Sequence, residues 1–331
     1  ELAGLLSDNP KTFIRVGVGL SRNTQGAMTS RAIACLSAAL GLFDGKAGAG
    51  ALLSSLSFSL DHGVMSFYKM VDKPTRSINM VRLGEALTQM TPPVKGLFVY
   101  SSNPLSVAPD SGQVRKGLER EDLFTVVHEQ LYTPTTLYAD LLLPATTSFE
   151  NEDIYIGYGH FYMGKTEPII APRGEAISNF DLFQTLAKKM GFSDPAFDES
   201  PSDRINRYLP AIAGLPKKQL KEGLKAGDAV LSDLYEAGGD FTKLDGDRFR
   251  FTVPMSGSET PGFPSVIPNS EFDDASLTEQ YPFALITPPN SELLNSTFGE
   301  RYQDKAGEVM MHPEDAETVN VNRVDLVEIS N

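Results

Sequence analysis

"KGLFVYSSNPLSVAPDSGQVRKGLEREDLFTVVHEQLYTPTTLYADLLLPA" occupies residues 95–145, and its reading decides the fold. Three short apolar runs, "KGLFVY", "LFTVVH" and "ADLLLPA", have the length and side chains of buried strands. Between the first and second lies "SGQVRKGLERED", of helical composition; between the second and third lies "TPTTLYA", a short turn or helix. Strand alternating with helix predicts a parallel sheet covered on its faces by helices. Such sheets hold ligands in the crevice beyond the carboxyl ends of their strands. The polar groups that fall there are "SSNP" after the strand in 95–104 and "HEQ" at the end of the strand in 123–130.

Upstream, "TFIRVGVGL" (12–20) reads as an earlier buried strand. It runs into "SRNTQGAMTSRAIACLSAALGLFDG", where Ser and Asn offer cap chemistry for a helix that stops near Gly41. Downstream, "SNFDLFQTLAKKMGF" (178–192) places Phe180, Leu182, Phe183, Leu186, Ala187 and Met190 on one helical stripe. The predicted fold is therefore α/β, a doubly wound, mostly parallel, Rossmann-like sheet over residues 1–192. From 193 to 278 Pro, Gly, Ser and Asp are frequent, and one helical patch (217–239) and one strand ("DRFRFTV") interrupt them; this reads as an extended connector of modest structure. From 279 to 331 strand-like alternation returns, as expected for the truncated start of a β-barrel-type domain.

Composition narrows the function. The chain of 331 residues carries a formal net charge of −14, which argues against nucleic acid and anionic membrane surfaces as partners. No apolar run reaches the ~20 residues of a membrane helix. The one cysteine, Cys35, lies in a helical run and reads as a small buried hydrophobe, so neither an internal disulfide nor a multi-cysteine metal site is available. The four histidines lack metal-ligand spacing. "VGVGLSRNTQG" has one G-x-G without the complete dinucleotide fingerprint, and Asp44 falls after the helix, not at a second strand end. Both chain ends read as cut, which leaves the compartment unassigned.

What remains is a set of loops suited to a polar, phosphate-bearing ligand. A helix opening between Asn23 and Gly26 could accept a phosphate through backbone N–H groups. Glu129 at a strand's carboxyl end suits guanine, because a carboxylate can accept N1–H and N2–H together. The plainer readings stay open: a solvated acid for Glu129, a strand-end hydrogen bond for His128, and turn and cap chemistry for Ser101, Ser102 and Asn103.

These residues also carry a resemblance. The stretch from "YSSNPLSVAPD" through "ADLLLPATTSFENEDIYIGYGHFYM" is similar to the guanine-nucleotide-binding domain of the molybdopterin oxidoreductases of the dimethyl sulfoxide reductase family. That family's run is an N-P loop, a helix, "FxVVxDxFxTxTAxxADxxLPxxxxxE" and an aromatic strand. "VGLSRNTQGAMTSRAIACLSAALG" resembles its first glycine-flanked helix, and "TPPNSELLNSTF" with "VMMHPEDAETVNV" resembles the opening of its C-terminal barrel. The resemblance spans residues 12–192 and 281–331 in family order, with "ADLLLPATTSFE" and "HPEDA" as its most specific parts.

The resemblance implies molybdenum or tungsten held by two pyranopterin guanine dinucleotides (molybdopterin guanine dinucleotide), acting in two-electron redox chemistry. It implies that Ser101, Ser102, Asn103, Pro104, His128, Glu129 and Thr133 line one dinucleotide. Leu20, Ser21 and Arg22 would approach the same ligand, and Thr287, Asn290, Asn295 and Ser296 would approach pterin or ribose. The family's metal ligand and its cysteine-rich iron–sulfur segment lie upstream of the first strand matched. This portion is accordingly expected to contain no catalytic residue, to be inactive alone, and to work with the remainder of its own chain and an electron-transfer subunit. The alternative is a cofactor-free docking scaffold, as in the large iron–sulfur subunit of respiratory complex I. Two departures stand out. Glu129 occupies a position where the family often has Asp, and in the family's "xGIxxGDxVxV" turn Asn320 and Val324 replace the glycines. Asn visits the left-handed region readily, but a β-branched valine resists it, so that turn is expected to be rebuilt.

Overall fold

The structure is a computed structural model. It describes residues 1–9, 11–22, 25–42, 50–52, 58–60, 75–157, 160–233, 249–252, 262–269, 272–288, 293–297, 299 and 307–329. The chain begins with α1 (Leu2–Asp8), β1 (Phe13–Arg15), α2 (Gly26–Ala39), β2 (Gly50–Leu52) and β3 (Ser59–Leu60). There follow α3 (Leu83–Gln89), β4 (Gly96–Tyr100), α4 (Pro104–Val107), α5 (Ser111–Leu118), β5 (Phe124–Glu129) and β6 (Leu141–Pro144). Next come the hairpin strands β7 (Asp153–Ile156) and β8 (Tyr162–Thr166), then α6 (Asn179–Lys189), α7 (Pro201–Tyr208) and β9 (Ile212–Ala213). The last are α8 (Lys217–Glu222), β10 (Ala229–Leu231), α9 (Ala275–Gln280) and α10 (Pro313–Thr318). Packing divides the chain into two units that interleave in sequence. One comprises Glu1–Val71, Glu152–Glu167 and Glu199–Ala284; the other comprises Asp72–Asn151, Pro168–Asp198 and Leu285–Asn331.

The second unit is built on a parallel sheet in the order β4–β5–β6. Its register pairs Tyr100 with His128 and His128 with Leu143. Side chains alternate across a strand, and β4 follows that rule. Leu97 packs with Leu87, Leu105, Val114, Leu118 and Leu123 beneath α3 and α5. Phe98 and Tyr100 instead meet Phe183 of α6, at ring-centroid distances of 5.4 and 4.8 Å. The apolar stripe read from residues 178–192 thus has its partner, with Leu182 and Ala187 buried. α3 and α5 approach closely because two glycines face the contact: a Cβ on Gly84 would stand 2.9 Å from Gln113 Cβ, and one on Gly117 would overlap Leu87. Replacing Gly117 with alanine is expected to cost about 1–3 kcal/mol of stability through overpacking, read as a lower denaturant midpoint. An unchanged midpoint would mean that the helices part freely. Asp122, before β5, accepts from Lys95 and Arg120, and those hydrogen bonds, Arg120's foremost, pull its carboxyl to about 2.

The first unit holds the antiparallel sheet β7–β8–β10, the parallel pair β1–β2 and the antiparallel pair β3–β9. Its core joins Phe58, Met163, Ile205, Leu209, Ile212, Leu215, Leu224 and Val230. Helix α7 starts on a capping box in which Ser200 and Asp203 exchange side-chain-to-backbone bonds, with Pro201 in the first turn. Residues 201–231, read from sequence as modest structure, therefore supply much of a hydrophobic core.

Four expectations change. The strand expected over 12–20 is only Phe13–Arg15, with both end residues exposed, and a 3-10 turn (Val18–Arg22) follows it. Gly17 and Gly19 give that segment no side chains to pack, which weakens a strand. Helix α2 forms as expected and ends before Gly41 (φ 67°), but its N-cap is Gln25 with no side-chain cap bond; Asn23 lies outside the described residues. From 279 onward the described residues form α10, part of α9 and one isolated bridge, Leu294 to Thr297, and among them there is no closed barrel. Ile286, Met310 and Leu326 stand exposed there, since an alternating pattern makes a strand only when a neighbouring strand pairs with it. "DRFRFTV" likewise forms no strand over its described residues 249–252.

The turn expected to be rebuilt keeps positive φ instead: Asn320 lies at 56° and Val324 at 68°. Val324 is 94% exposed, so no packing offsets its conformation. Val324→Asn is expected to slow amide exchange across 320–326, because it removes on the order of 1 kcal/mol of local strain. Unchanged exchange would show that the turn carries none.

Candidate functional site at the carboxyl edge of the parallel sheet

Because β4, β5 and β6 run parallel, their carboxyl ends share one edge, and three loops leave it side by side: Ser101–Pro104, Gln130–Pro134 and Ala145–Ser148. Between them lies a recess of about 60 Å³, lined by Ser101, His128, Glu129, Gln130, Thr146 and Asn179 among others. It is too small to enclose a purine, so a base would lie against its rim.

Hydrogen bonds fix the rim. His128 is 1% exposed; its Nδ1 lies 2.9 Å from Asn179 Oδ1 and its Nε2 lies 3.2 Å from the Ile177 carbonyl. Asn179 Nδ2 lies 2.9 Å from Ser101 Oγ, and Ser101 is held at φ 49°. Glu129 is half-buried and accepts the Gln130 backbone N–H through Oε1 at 2.7 Å. Gln130 Nε2 donates to the Thr146 carbonyl, and Thr146 Oγ1 donates to Asn151 Oδ1, each at 2.8 Å. Behind the rim, buried Glu150 closes a capping box on Thr147 and accepts the Arg173 N–H at 2.9 Å. The Thr147 backbone and hydroxyl donors, joined by Arg173, hold its carboxyl below the usual range.

The first and second loops are stitched by Thr135, which donates to Asn103 Oδ1 at 2.6 Å and accepts the Leu105 N–H at 3.1 Å. Two polar atoms on these loops find no protein partner although buried: Asn103 Nδ2 and Thr133 Oγ1, on residues 7% and 8% exposed. Buried polar groups are normally satisfied, so a donor and a hydroxyl left over at a strand-end rim fit a polar ligand.

The structure brings together, in the second unit, the predicted Ser101, Ser102, Asn103, Pro104, His128, Glu129 and Thr133, with Ser102 exposed and Pro104 buried as the first residue of α4. Leu20, Ser21 and Arg22 form the 3-10 turn of the first unit. Thr287 is exposed, Asn295 (φ 53°) and Ser296 lie in the turn bridged by Leu294 and Thr297, and Asn290 lies outside the described residues. Sequence reasoning missed Gln130, Thr146, Asn151 and Asn179. Gln130 stands in the sequence only within the "HEQ" strand end, and Asn179 only within the helical run 178–192, off its apolar stripe. No group of three or more metal-ligating side chains occurs among the described residues.

A parallel α/β sheet with polar loops gathered at its carboxyl edge belongs to the class of folds that commonly bind ligands at that edge. Within that class the assignment is specific: residues 3–189 match the family model described as molybdopterin oxidoreductase, and the chain belongs to that family. It is 33% identical over 329 residues to the probable oxidoreductase YoaE of Bacillus subtilis, covering 96% of this chain and 47% of that protein. It is 29% identical over 282 residues to the trimethylamine-N-oxide reductase of Haemophilus influenzae, covering 73% of this chain and 33% of that protein. The chain thus spans less than half the length of either relative. Acetylene hydratase from Pelobacter acetylenicus shares the fold, with a TM-score of 0.50 at 19% identity over 74% of this chain and 34% of that one.

Proposed function

We propose that this chain supplies part of the cofactor cradle of a molybdenum or tungsten oxidoreductase, with the sheet's carboxyl edge holding the guanosine end of one pyranopterin guanine dinucleotide. The observation that carries this reading is the pair of buried polar groups without a protein partner, Asn103 Nδ2 and Thr133 Oγ1, on the loops that leave β4 and β5, the second of which follows the half-buried carboxylate of Glu129. A carboxylate has about four lone-pair sites, so the Gln130 N–H on Oε1 leaves room for a guanine edge. The first turn of α6, at the recess through Asn179, adds a positive dipole end suited to a diphosphate. When bound, the cofactor supplies the two-electron chemistry; this chain's residues bind and orient it. Residues 1–192 act as the dinucleotide-binding domain and 279–331 as the start of the second dinucleotide-binding domain, while 193–278 joins them and contributes to the core of the first unit. The metal ligand, an iron–sulfur cluster and the substrate funnel belong to other parts of the whole protein, which passes electrons to or from a partner subunit. A cofactor-free scaffold has less support, because such a chain has no use for unpaired buried donors at this edge.

Glu129→Gln in the whole protein replaces one acceptor oxygen with a donor. Loss of a charge-assisted pair of about 1.5–3 kcal/mol weakens guanine binding roughly ten- to a hundredfold. Molybdenum and guanine nucleotide per chain are expected to fall, with activity per bound metal little changed. Wild-type cofactor content in the variant would remove Glu129 from this role.

A further inference from the structure

We infer that Thr135 is a positioning residue whose hydroxyl turns the Asn103 amide so that its N–H donors, and not its oxygen, are offered to the ligand. This point of the rim thereby selects an acceptor oxygen of the dinucleotide, an inference that rests on the reading of the rim given above. Thr135 is fully buried in the turn after β5, and its Oγ1 meets two groups on the chain that leaves β4. The Leu105 backbone N–H, at 3.1 Å, can only donate, so it takes a lone pair of Oγ1. The hydroxyl proton is left for Asn103, which meets it with Oδ1. An amide turned the other way would leave that proton without an acceptor in a buried place. The spacing agrees, since 2.6 Å is ordinary for O–H···O and shorter than N–H···O bonds usually are. The neighbouring Thr136 hydroxyl does not compete, because it donates to the Thr133 carbonyl at 2.7 Å. Nor does helix capping account for the amide: Asn103 precedes α4 but makes no side-chain cap bond to it. With Oδ1 held, Nδ2 is the end left without a protein partner, on a residue 7% exposed. An NH2 group donates and does not accept, so an oxygen of the ligand is what satisfies it.

The test separates the direction of the amide from the packing of the loops, and reads guanine nucleotide per chain and melting temperature in the whole protein. If Thr135 and Asn103 only tie two loops together, Asn103→Asp keeps its nucleotide. It retains an oxygen for the Thr135 hydroxyl and suits the position before a helix as well as Asn does. If the ligand meets the N–H donors, Asn103→Asp sets an acceptor in their place and is expected to lower nucleotide per chain about tenfold. Thr135→Ser keeps the hydroxyl and gives up a buried methyl group, so its melting temperature is expected to fall while its nucleotide content stays at the wild-type level. Thr135→Val is expected to lose nucleotide. A Thr135→Ser protein depleted of nucleotide overturns the inference, and this arm decides even where Thr135→Val or Asn103→Asp fails to fold. Wild-type content in Asn103→Asp, when Glu129→Gln has lost its nucleotide, also overturns it, and in that case the guanine site itself stands. Wild-type content in Glu129→Gln and Asn103→Asp alike overturns both readings.

Discussion

Replacing Lys165 with methionine is expected to destabilise the unit that contains it by about 3–5 kcal/mol, the cost of stranding one member of a buried ion pair. Lys165 on β8 is 7% exposed, and its Nζ lies 2.8 Å from Glu152 Oε1 and 3.4 Å from Ser202 Oγ. Ser202, in the first turn of α7, also donates to Glu152. Burial pushes the Glu152 carboxyl up, but Lys165 and Ser202 outweigh it and hold the carboxyl below its usual range. A depressed folded-state value means that this contribution is fully present above the ordinary range near pH ~4.3 and is lost as pH falls through the lower folded-state value. Removing both partners, as in Lys165→Met with Glu152→Leu, leaves no stranded charge and is expected to be near neutral or stabilising. The measurement is chemical denaturation of the three proteins at neutral pH and in acid. If the double variant is as unstable as Lys165→Met, the loss comes from packing and not from the stranded carboxylate.

The second large effect concerns Thr135→Val, nearly isosteric but without the hydroxyl. Thr135 is fully buried and is the partner of both the Leu105 N–H and Asn103 Oδ1. That N–H lies in the first turn of α4, where it has no partner within the helix. Valine leaves the two groups unsatisfied at about 1–3 kcal/mol each, so a total of roughly 2–5 kcal/mol is expected. Asn103, already without a partner at Nδ2, would then be free to turn, and cofactor content should fall with stability. Retention of full stability would show that water enters and replaces the hydroxyl.

The parallel sheet was legible because its strands carry the signals that local reasoning can use. "GLFVY", "FTVVHE" and "LLLP" are short, apolar and separated by turn chemistry, and each forms within a residue or two of its expected place. Glu129 and His128 could be placed at the carboxyl edge for the same reason. Partners brought in by tertiary contact were not legible. Nothing in "SNFDLF" says that Asn179 reaches Ser101 and His128, which are distant in sequence. The core of the first unit was hidden similarly, since Ile205, Leu209, Ile212 and Leu215 sit among Pro, Gly and polar residues that read as a connector. The segment after residue 279 shows the converse: alternation written in the sequence does not become strand among the described residues.

The most direct test of the central claim is the position of guanine in the structure of the whole, cofactor-loaded protein. The account predicts one guanine edge within hydrogen-bond distance of the Glu129 carboxylate, with Asn103 Nδ2 or Thr133 Oγ1 bonded to the same dinucleotide. A dinucleotide bound away from these three residues, or a rim closed by other side chains, would contradict it.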